Sequence, residues 1–268
     1  MNEESPARIG VESPFRTLST HLDLVRSLAL KDFKVRYRNS GLGFLWSLFN
    51  PLAMMLILTV FYTFVFPSTI SNYPVFALSG LLTWRYLAIG TSWSMDSISG
   101  NSSLVTKVFF PRWLLVLSNN LANTLGALLE FAALIPVMLV LGLKPSPYMV
   151  LLPFILFLEF ILIFGISLIL SSLSVYSRDF NQIWEISLQA LFFLSPVFYS
   201  ETIIPPRYAL LYSLNPVERV LVAMRSVLYY GTLPSAADIL GLALSGLVIL
   251  LLGIVVFRRL EPRFGELV

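Results

Sequence analysis

Apolar runs fall at about residues 42–66, 74–95, 114–141, 149–173, 183–199 and 238–257, separated by polar or proline-rich connections. A hydrocarbon core about 30 Å thick takes roughly 20 apolar residues in helical form. The pattern therefore predicts an all-α polytopic membrane protein with six transmembrane helices, the fifth the shortest. The connections PSTISNY (67–73) and GLKPSPY (142–148) are tight, whereas 96–113 and 200–237 are long enough to hold further structure. Residues 1–19 read as a polar N-terminal tail lacking the apolar core of a cleavable signal peptide, and 20–268 as a single transmembrane domain.

Three shorter segments carry helical patterns of their own. In 20–38, Thr20 and Asp23 are spaced as a capping box. Leu18, Leu22, Val25, Leu28, Ala29 and Phe33 recur on one face, opposite Asp23, Ser27, Lys31, Lys34 and Arg38. Such a helix lies flat on a membrane surface with its basic face outward, and Arg36, near the apolar edge, would have to snorkel. Gly41 and Gly43 allow the turn into the first span. Residues 100–103 (GNSS) start a short helix carrying Leu104, Val105, Val108 and Phe109 that Pro111 stops. In NPVERVLVAMRSVLYYG (215–231), Asn215 is the N-cap, Pro216 the first helical residue, Glu218 the box partner and Gly231 the terminator. Its apolar face is Val217, Val220, Leu221, Met224, Val227 and Leu228, with Glu218, Arg219 and Arg225 off it, as befits a helix that lies along or dips into the outer surface.

Composition agrees: 57% hydrophobic, 12% charged and a mean hydropathy of +0.81 describe a membrane protein. With no cysteine and one histidine, His21, a disulfide framework, a cysteine-based zinc site, an Fe–S cluster and a thiol nucleophile are excluded. The net charge is only +3, but its placement is informative. Arg8, Arg16, Arg26, Lys31, Lys34, Arg36, Arg38, Lys107, Arg112, Arg178, Arg258, Arg259 and Arg263 share one side, against Lys144, Arg207, Arg219 and Arg225 on the other. The positive-inside rule puts the first set, and both termini, in the cytoplasm.

Arg85, Glu130 and Glu159 fall inside spans two, three and four, with Asp96 near the end of span two. Intramembrane charges face a bundle interior or a water-filled path. Arg85 therefore either pairs with Glu130 or Glu159 to fix helix packing, or serves a substrate path. Asn50-Pro51 frees a backbone carbonyl in span one, which a neighbouring helix or a cavity must satisfy. The chain holds 21 Phe, 11 Tyr and 5 Trp, enough for an interfacial belt or for faces that stack on sugar rings. No phosphate-binding G-x-x-x-x-G-K-[ST], H-E-x-x-H or G-x-S-x-G motif occurs.

Five stretches in this order and topology resemble the permease subunits of ABC exporters for polysaccharides, the O-antigen and teichoic-acid type within the type-2 exporter group. They are LKDFKVRYRNSGLGFLWSLFNPL (30–52), FALSGLLTWRYL (76–87), NSSLVTKVFFPRW (101–113), SVYSRDFNQIWEISLQALFFLSPVFYS (174–200) and LNPVERVLVAMRSVLYYG (214–231). The resemblance implies a non-catalytic, homodimeric permease in the plasma or bacterial inner membrane, moving a lipid-linked polysaccharide. Two copies of a separate nucleotide-binding subunit would bind ATP and Mg, with no cofactor or metal in this chain and no nucleic-acid partner. It makes 20–38 an interface helix (Asp23, Arg26, Lys31, Lys34, Arg38). A coupling helix spans about 98–112 (Ser103, Leu104, Val105, Lys107, Val108, Phe109, Phe110, Pro111, Arg112), and Pro205–Gly231 becomes a re-entrant outer gate (Asn215, Pro216, Glu218, Arg219, Arg225). Phe44, Trp46, Phe61, Tyr62, Trp84, Phe192 and Tyr199 are the expected channel-lining aromatics. Arg85 departs from the resemblance, standing where family members more often carry a neutral residue. Teichoic acid, or drugs and small lipids, are alternative cargoes. A membrane-embedded glycosyl- or acyltransferase would need an acidic cluster, for which only Asp96 and Arg178-Asp179 stand near a membrane face, and a passive channel would not need the amphipathic elements.

Overall fold

The computed structural model describes residues 14–38, 43, 45–67, 69–108, 110–208 and 212–268. All regular structure among them is helical. In chain order these are α1 (Pro14–Arg38), α2 (Leu45–Val60), α3 (Tyr73–Met95), α4 (Ser102–Lys107), α5 (Trp113–Val140), α6 (Leu152–Tyr176), α7 (Asp179–Leu194), α8 (Pro216–Arg225), α9 (Ala236–Leu260) and α10 (Phe264–Leu267). Helix α2 runs on through a wider turn, Phe61–Val65, and α8 through another, Ser226–Tyr230.

Among the described residues, four stretches are long and apolar enough to cross a membrane: Leu45–Val65, Trp113–Val140, Pro147–Tyr176 and Ala236–Leu267. The second expected span is the 23-residue α3, whose lower hydropathy follows from its place at the centre of the bundle. Seventeen of its 23 residues are buried, against α2, α5, α6, α7 and α8. Interior positions accept small polar residues that bond to their own helix. Ser79, Thr83, Thr91 and Ser94 each donate a hydroxyl hydrogen bond to a carbonyl three or four residues back. The expected fifth span, 183–199, is displaced: α7 covers Asp179–Leu194, and Ser195 is extended (φ −103°, ψ 146°) because it precedes Pro196. At a rise of about 1.5 Å per residue, its 16 residues are shorter than the hydrocarbon core.

Helix α1 also starts earlier than predicted, at Pro14, a residue suited to a first helical turn. Thr20 is thus inside the helix, and residues 14–19 belong to it instead of to a tail. Its inward face holds Val25, Leu28 and Ala29 against α5, while Asp23, Arg26, Ser27, Lys31 and Lys34 are exposed as expected. Leu22, expected on the apolar face, is 61% exposed because α5 covers only the middle of that stripe.

Two main apolar clusters lie among the described residues, with a small third of Tyr73, Phe76 and Ala77 at the start of α3. The larger of the two surrounds α3, α6 and α8; the smaller joins α1, α4, α6, α9 and α10 through Leu28, Ile98, Val105, Leu168, Phe257 and the fully buried Phe264. The closest crossing is α6 on α9. A Cβ added at Gly165 would lie 2.6 Å from the Leu250 nitrogen, and one at Gly253 would collide with the Gly165 carbonyl oxygen. Small residues permit this approach where helices associate by packing alone. Replacing Gly165 by leucine is therefore expected to destabilise the protein by about 1–3 kcal/mol and to lower the monodisperse fraction in detergent size-exclusion chromatography. A surface control, Gly100→Leu, where an added Cβ meets nothing within 4 Å, leaves the profile unchanged.

Candidate functional site

Proline 51 has no amide hydrogen, so the Ser47 carbonyl one turn earlier in α2 lacks its usual partner. Arg85 of α3 supplies it: Nη2 donates to the Ser47 oxygen at 3.4 Å. The same guanidinium donates from Nη1 to Asn50 Oδ1 at 3.1 Å. It also holds both carboxylate oxygens of Glu130 on α5, at 3.2 and 3.4 Å. Of the two partners open to Arg85, the structure chooses Glu130, and the pair is largely buried, with side chains 19% and 7% exposed. Glu159 on α6 is fully buried, and neither of its carboxyl oxygens has a hydrogen-bond partner among the described residues.

Beside this seam a groove of about 530 Å³ runs between α2, α3 and α7. Trp46, Phe49, Trp84 and Phe192 line it, with Asn50 and Arg85 as its polar spots. The aromatic rings continue beyond it as a ladder. Trp84 meets Phe192 edge-on at 5.5 Å, and Phe192 reaches Phe198 at 5.4 Å. Phe198 in turn touches Tyr62 at 6.5 Å and Tyr199 at 5.2 Å, and Tyr62 stacks on Tyr73 at 4.8 Å. Five expected lining residues are therefore brought together: Trp46, Tyr62, Trp84, Phe192 and Tyr199. Phe61 packs on Tyr62 and Phe66 at the exposed end of α2, one step off the ladder, and Phe44 lies outside the described residues. Sequence reasoning missed Phe198, the hub. It follows Pro196 in a non-helical turn, where no periodicity marks a face.

That turn is pinned from α8. Arg225 is completely buried; Nη2 donates to the Val197 oxygen at 2.7 Å and Nη1 to the Tyr199 oxygen at 3.3 Å. Its guanidinium carbon sits 3.8 Å over the Phe76 ring. The expectation that Arg225 lies off the apolar face is wrong, because it stands one helical turn after the buried Leu221. Gly80 makes room for it: a Cβ there would clash with the Val197 oxygen and lie 2.8 Å from Arg225 Nη2. Burial lowers the Arg225 pKa to about 10, while the Glu201 charge opposes the shift. Asn215 caps α8 by accepting from the Val217 amide at 3.0 Å, after Pro216 as expected. Arg219 donates to the Ser213 and Ala237 carbonyls and lies 3.8 Å from Asp238. Glu218, half-buried nearby, has its pKa pushed up to about 7, chiefly by burial and then by the Asp238 charge.

The expected coupling residues form a separate group in the smaller cluster. Val105 is buried, Leu104 and Phe110 are partly so, and Ser103, Lys107 and Val108 face outward. Phe109 lies outside the described residues. The helix expected over about 98–112 and stopped by Pro111 instead ends at Lys107, with Val108 already extended, and Arg112 Nη1 donates to the Glu261 carbonyl at 2.7 Å, tying the segment to the end of α9. Asp96 accepts from Asn181, and Ser177 caps Asp179 at the start of α7, so these acids serve local structure. Lys31, on α1, donates to Asn101 Oδ1 at 3.3 Å just before α4. The Arg38 side chain lies outside those described.

The family profile described as "ABC-2 type transporter" matches residues 23–229. The chain is 31% identical over 246 residues to "O-antigen export system permease protein RfbA" of Klebsiella pneumoniae, covering 91% of this chain and 95% of that protein. It is 32% identical over 257 residues to a Myxococcus xanthus protein of the same name, covering 94% and 97%. "Polysialic acid transport protein KpsM" of Escherichia coli is 25% identical over 244 residues, covering 88% of this chain and 93% of that protein.

Two predictions follow from the geometry. Arg85→Gln leaves Glu130 unpaired and withdraws one donor from the Ser47 carbonyl, and destabilises by about 3 kcal/mol or more. The loss is smaller in Glu130→Gln and in Pro51→Ala backgrounds, each of which removes one of Arg85's tasks; denaturant unfolding in detergent measures both couplings. Glu218, whose pKa is higher folded than its usual 4.5, costs stability once it ionises. Thermal stability should therefore fall as pH rises from about 4.5 towards 7, and Glu218→Gln should flatten that part of the profile.

Proposed function

The chain belongs to the ABC-2 type transporter family, and from that premise we propose that it is the permease half of an ATP-driven exporter moving a lipid-linked, O-antigen-like polysaccharide across the plasma or inner membrane. The observation that carries this reading is similarity along more than nine-tenths of the chain to proteins named as O-antigen export permeases. Relatives named for polysialic acid transport are less similar, which favours the O-antigen-like cargo over a capsule polymer.

On this reading α2, α3, α5, α6, α7 together with the turn that follows it, and α9 are the six spans, with both termini in the cytoplasm by the distribution of Lys and Arg. Two copies pair so that each groove faces a common path. Support comes from α2 and α7, which expose Trp46, Phe49, Ile57, Ile183, Ile186 and Phe193 and pack least against their own bundle. The aromatic faces stack on the C–H faces of successive sugars, contacts sequence-tolerant enough for a polymer to slide. The α1–α4 corner docks two nucleotide-binding subunits, which hold ATP and Mg. Motion of α4 passes into the bundle through Val105, Phe264 and the Arg112–Glu261 tie. At the other face, α8 and the Arg225-pinned turn form the gate.

Ser103 is exposed and the chain has no native cysteine, so a single Ser103→Cys carries a photo-crosslinker to one place. In inverted vesicles it is expected to capture a nucleotide-binding protein in a yield that changes with ATP. Capture of lipid or of this chain alone, in vesicles shown to contain the ATPase, would remove the coupling role. Trp84→Ala and Phe192→Ala should each cut glycan export severalfold at unchanged membrane abundance, and normal export would take those rings off the path.

A further inference from the structure

Two helices that touch backbone to backbone at one point splay on either side of it, and α6 and α9 meet in this way at Gly165 and Gly253. Towards the start of α5 the splay leaves a cleft of about 410 Å³. Its walls are apolar: Phe164 and Leu168 of α6, Ile254 and Phe257 of α9, and Trp113 of α5. A single water needs only ~10–15 Å³ of such space, so the cleft has room for a length of hydrocarbon. Pro111, Arg258 and Glu261 line it too, and they also line a second cavity of about 620 Å³ that reaches His21 and Arg112. The two adjoin as one trough, apolar at one end and charged at the other.

The trough is held open by the fold. Arg112, just before α5, donates to the Glu261 carbonyl, and the Tyr176 hydroxyl at the end of α6 donates to the Leu260 carbonyl at 3.2 Å. Both bonds fix the end of α9, and Phe257 packs edge-on against the buried Phe264 at 5.5 Å. Besides His21, the charged end carries two guanidiniums, Arg112 and Arg258, against the one carboxylate of Glu261. Arg112 gives its hydrogen to a neutral carbonyl, so its charge is not cancelled there. Arg258 is exposed and makes no hydrogen bond or ion pair among the described residues. One positive charge is therefore in surplus. The three helices around the cleft belong to stretches long and apolar enough to cross a membrane; Trp113 opens α5 and Arg258 lies in the last turn of α9. Such positions mark the boundary between hydrocarbon and headgroups.

We propose that this trough binds an anionic phospholipid, with one acyl chain in the cleft between α5, α6 and α9 and its phosphate at Arg258 and Arg112. A soluble anion gains nothing from the apolar end, and a zwitterionic lipid leaves the surplus charge unmet. Basic pockets between membrane helices recognise headgroups by this combination, and a guanidinium suits the phosphate oxygens. Assigning the site to the cytoplasmic leaflet rests on the orientation adopted under the proposed function; the binding chemistry does not. A lipid seated there bridges the connection before α5 to the end of α9, beside the Arg112–Glu261 hydrogen bond.

The test uses the full-length chain in neutral detergent with equal amounts of dioleoyl phosphatidylglycerol and dioleoyl phosphatidylcholine, read by native mass spectrometry. Phosphatidylglycerol is expected to be retained in preference, saturating at a single lipid per chain. Arg258→Gln should lower the preference about fivefold, the worth of one arginine at an anionic surface. Arg259→Gln, whose site lies outside the lining of both cavities, should leave it largely intact. Location is read separately, with lipids brominated along the acyl chain. Brominated phosphatidylglycerol should quench tryptophan fluorescence more than brominated phosphatidylcholine, and Trp113→Phe should abolish the difference. Absence of a preference overturns the proposal, as does equal loss in Arg258→Gln and Arg259→Gln, or quenching indifferent to Trp113. If Arg258→Gln instead weakens capture of the nucleotide-binding subunit while lipid binding shows no preference, the basic rim belongs to that partner and the lipid site is refuted. Neither arm reads export, so the transport reading stands or falls apart from this one.

Discussion

The absence of one amide hydrogen, at Pro51, organises the centre of this molecule. A carbonyl exposed inside an apolar bundle costs several kcal/mol unless a donor reaches it. The donor comes from another helix, and it is charged, so it brings its own need for a counter-ion. Arg85 answers the carbonyl, Glu130 answers Arg85, and three helices are thereby fixed in register at one height. The cost of burying the pair is offset by the hydrogen bonds that exhaust most of the guanidinium's donors. The start of α2 and the aromatic groove both depend on this one side chain.

The same device recurs at the other end of the bundle with a different solution. The turn after α7 leaves carbonyls without helical partners, and Arg225 supplies donors to two of them with an aromatic face as its cushion. Both arginines give donors to backbone carbonyls near a proline, at Pro51 inside α2 and at Pro196 after α7. Freed carbonyls are thus kept at two points beside the aromatic rings, and at each of them a cation on a neighbouring helix serves them.

Much of this was legible in the sequence, because hydrophobic periodicity, proline at helix starts and the Asn215 cap act within a few residues of themselves. The carbonyl freed by Pro51 was equally local, but its partner was not: Arg85 could be seen as needing a counter-ion, and only packing chose Glu130 over Glu159. The errors have the same origin. Leu22 and Arg225 were placed by helical phase alone, and the burial of a given phase depends on which neighbour arrives. The end of α7 was misplaced by following hydrophobicity past Ser195, although Pro196 already restricted it. Phe198 gave no local signal at all, since its importance lies in reaching α2 and α3 from a turn.

A path for a long polymer has to bind each unit well enough to admit it and weakly enough to release it, as in conducting pores. Neutral aromatic faces meet both demands for sugars; a bare guanidinium would not, since it forms strong forked bonds to any acid on the chain. Arg85 lines the groove, yet its charge is balanced by Glu130 and its hydrogens are directed into α2 and α5. The side chain that serves the carbonyl freed by Pro51 therefore also leaves the aromatic groove electrically quiet.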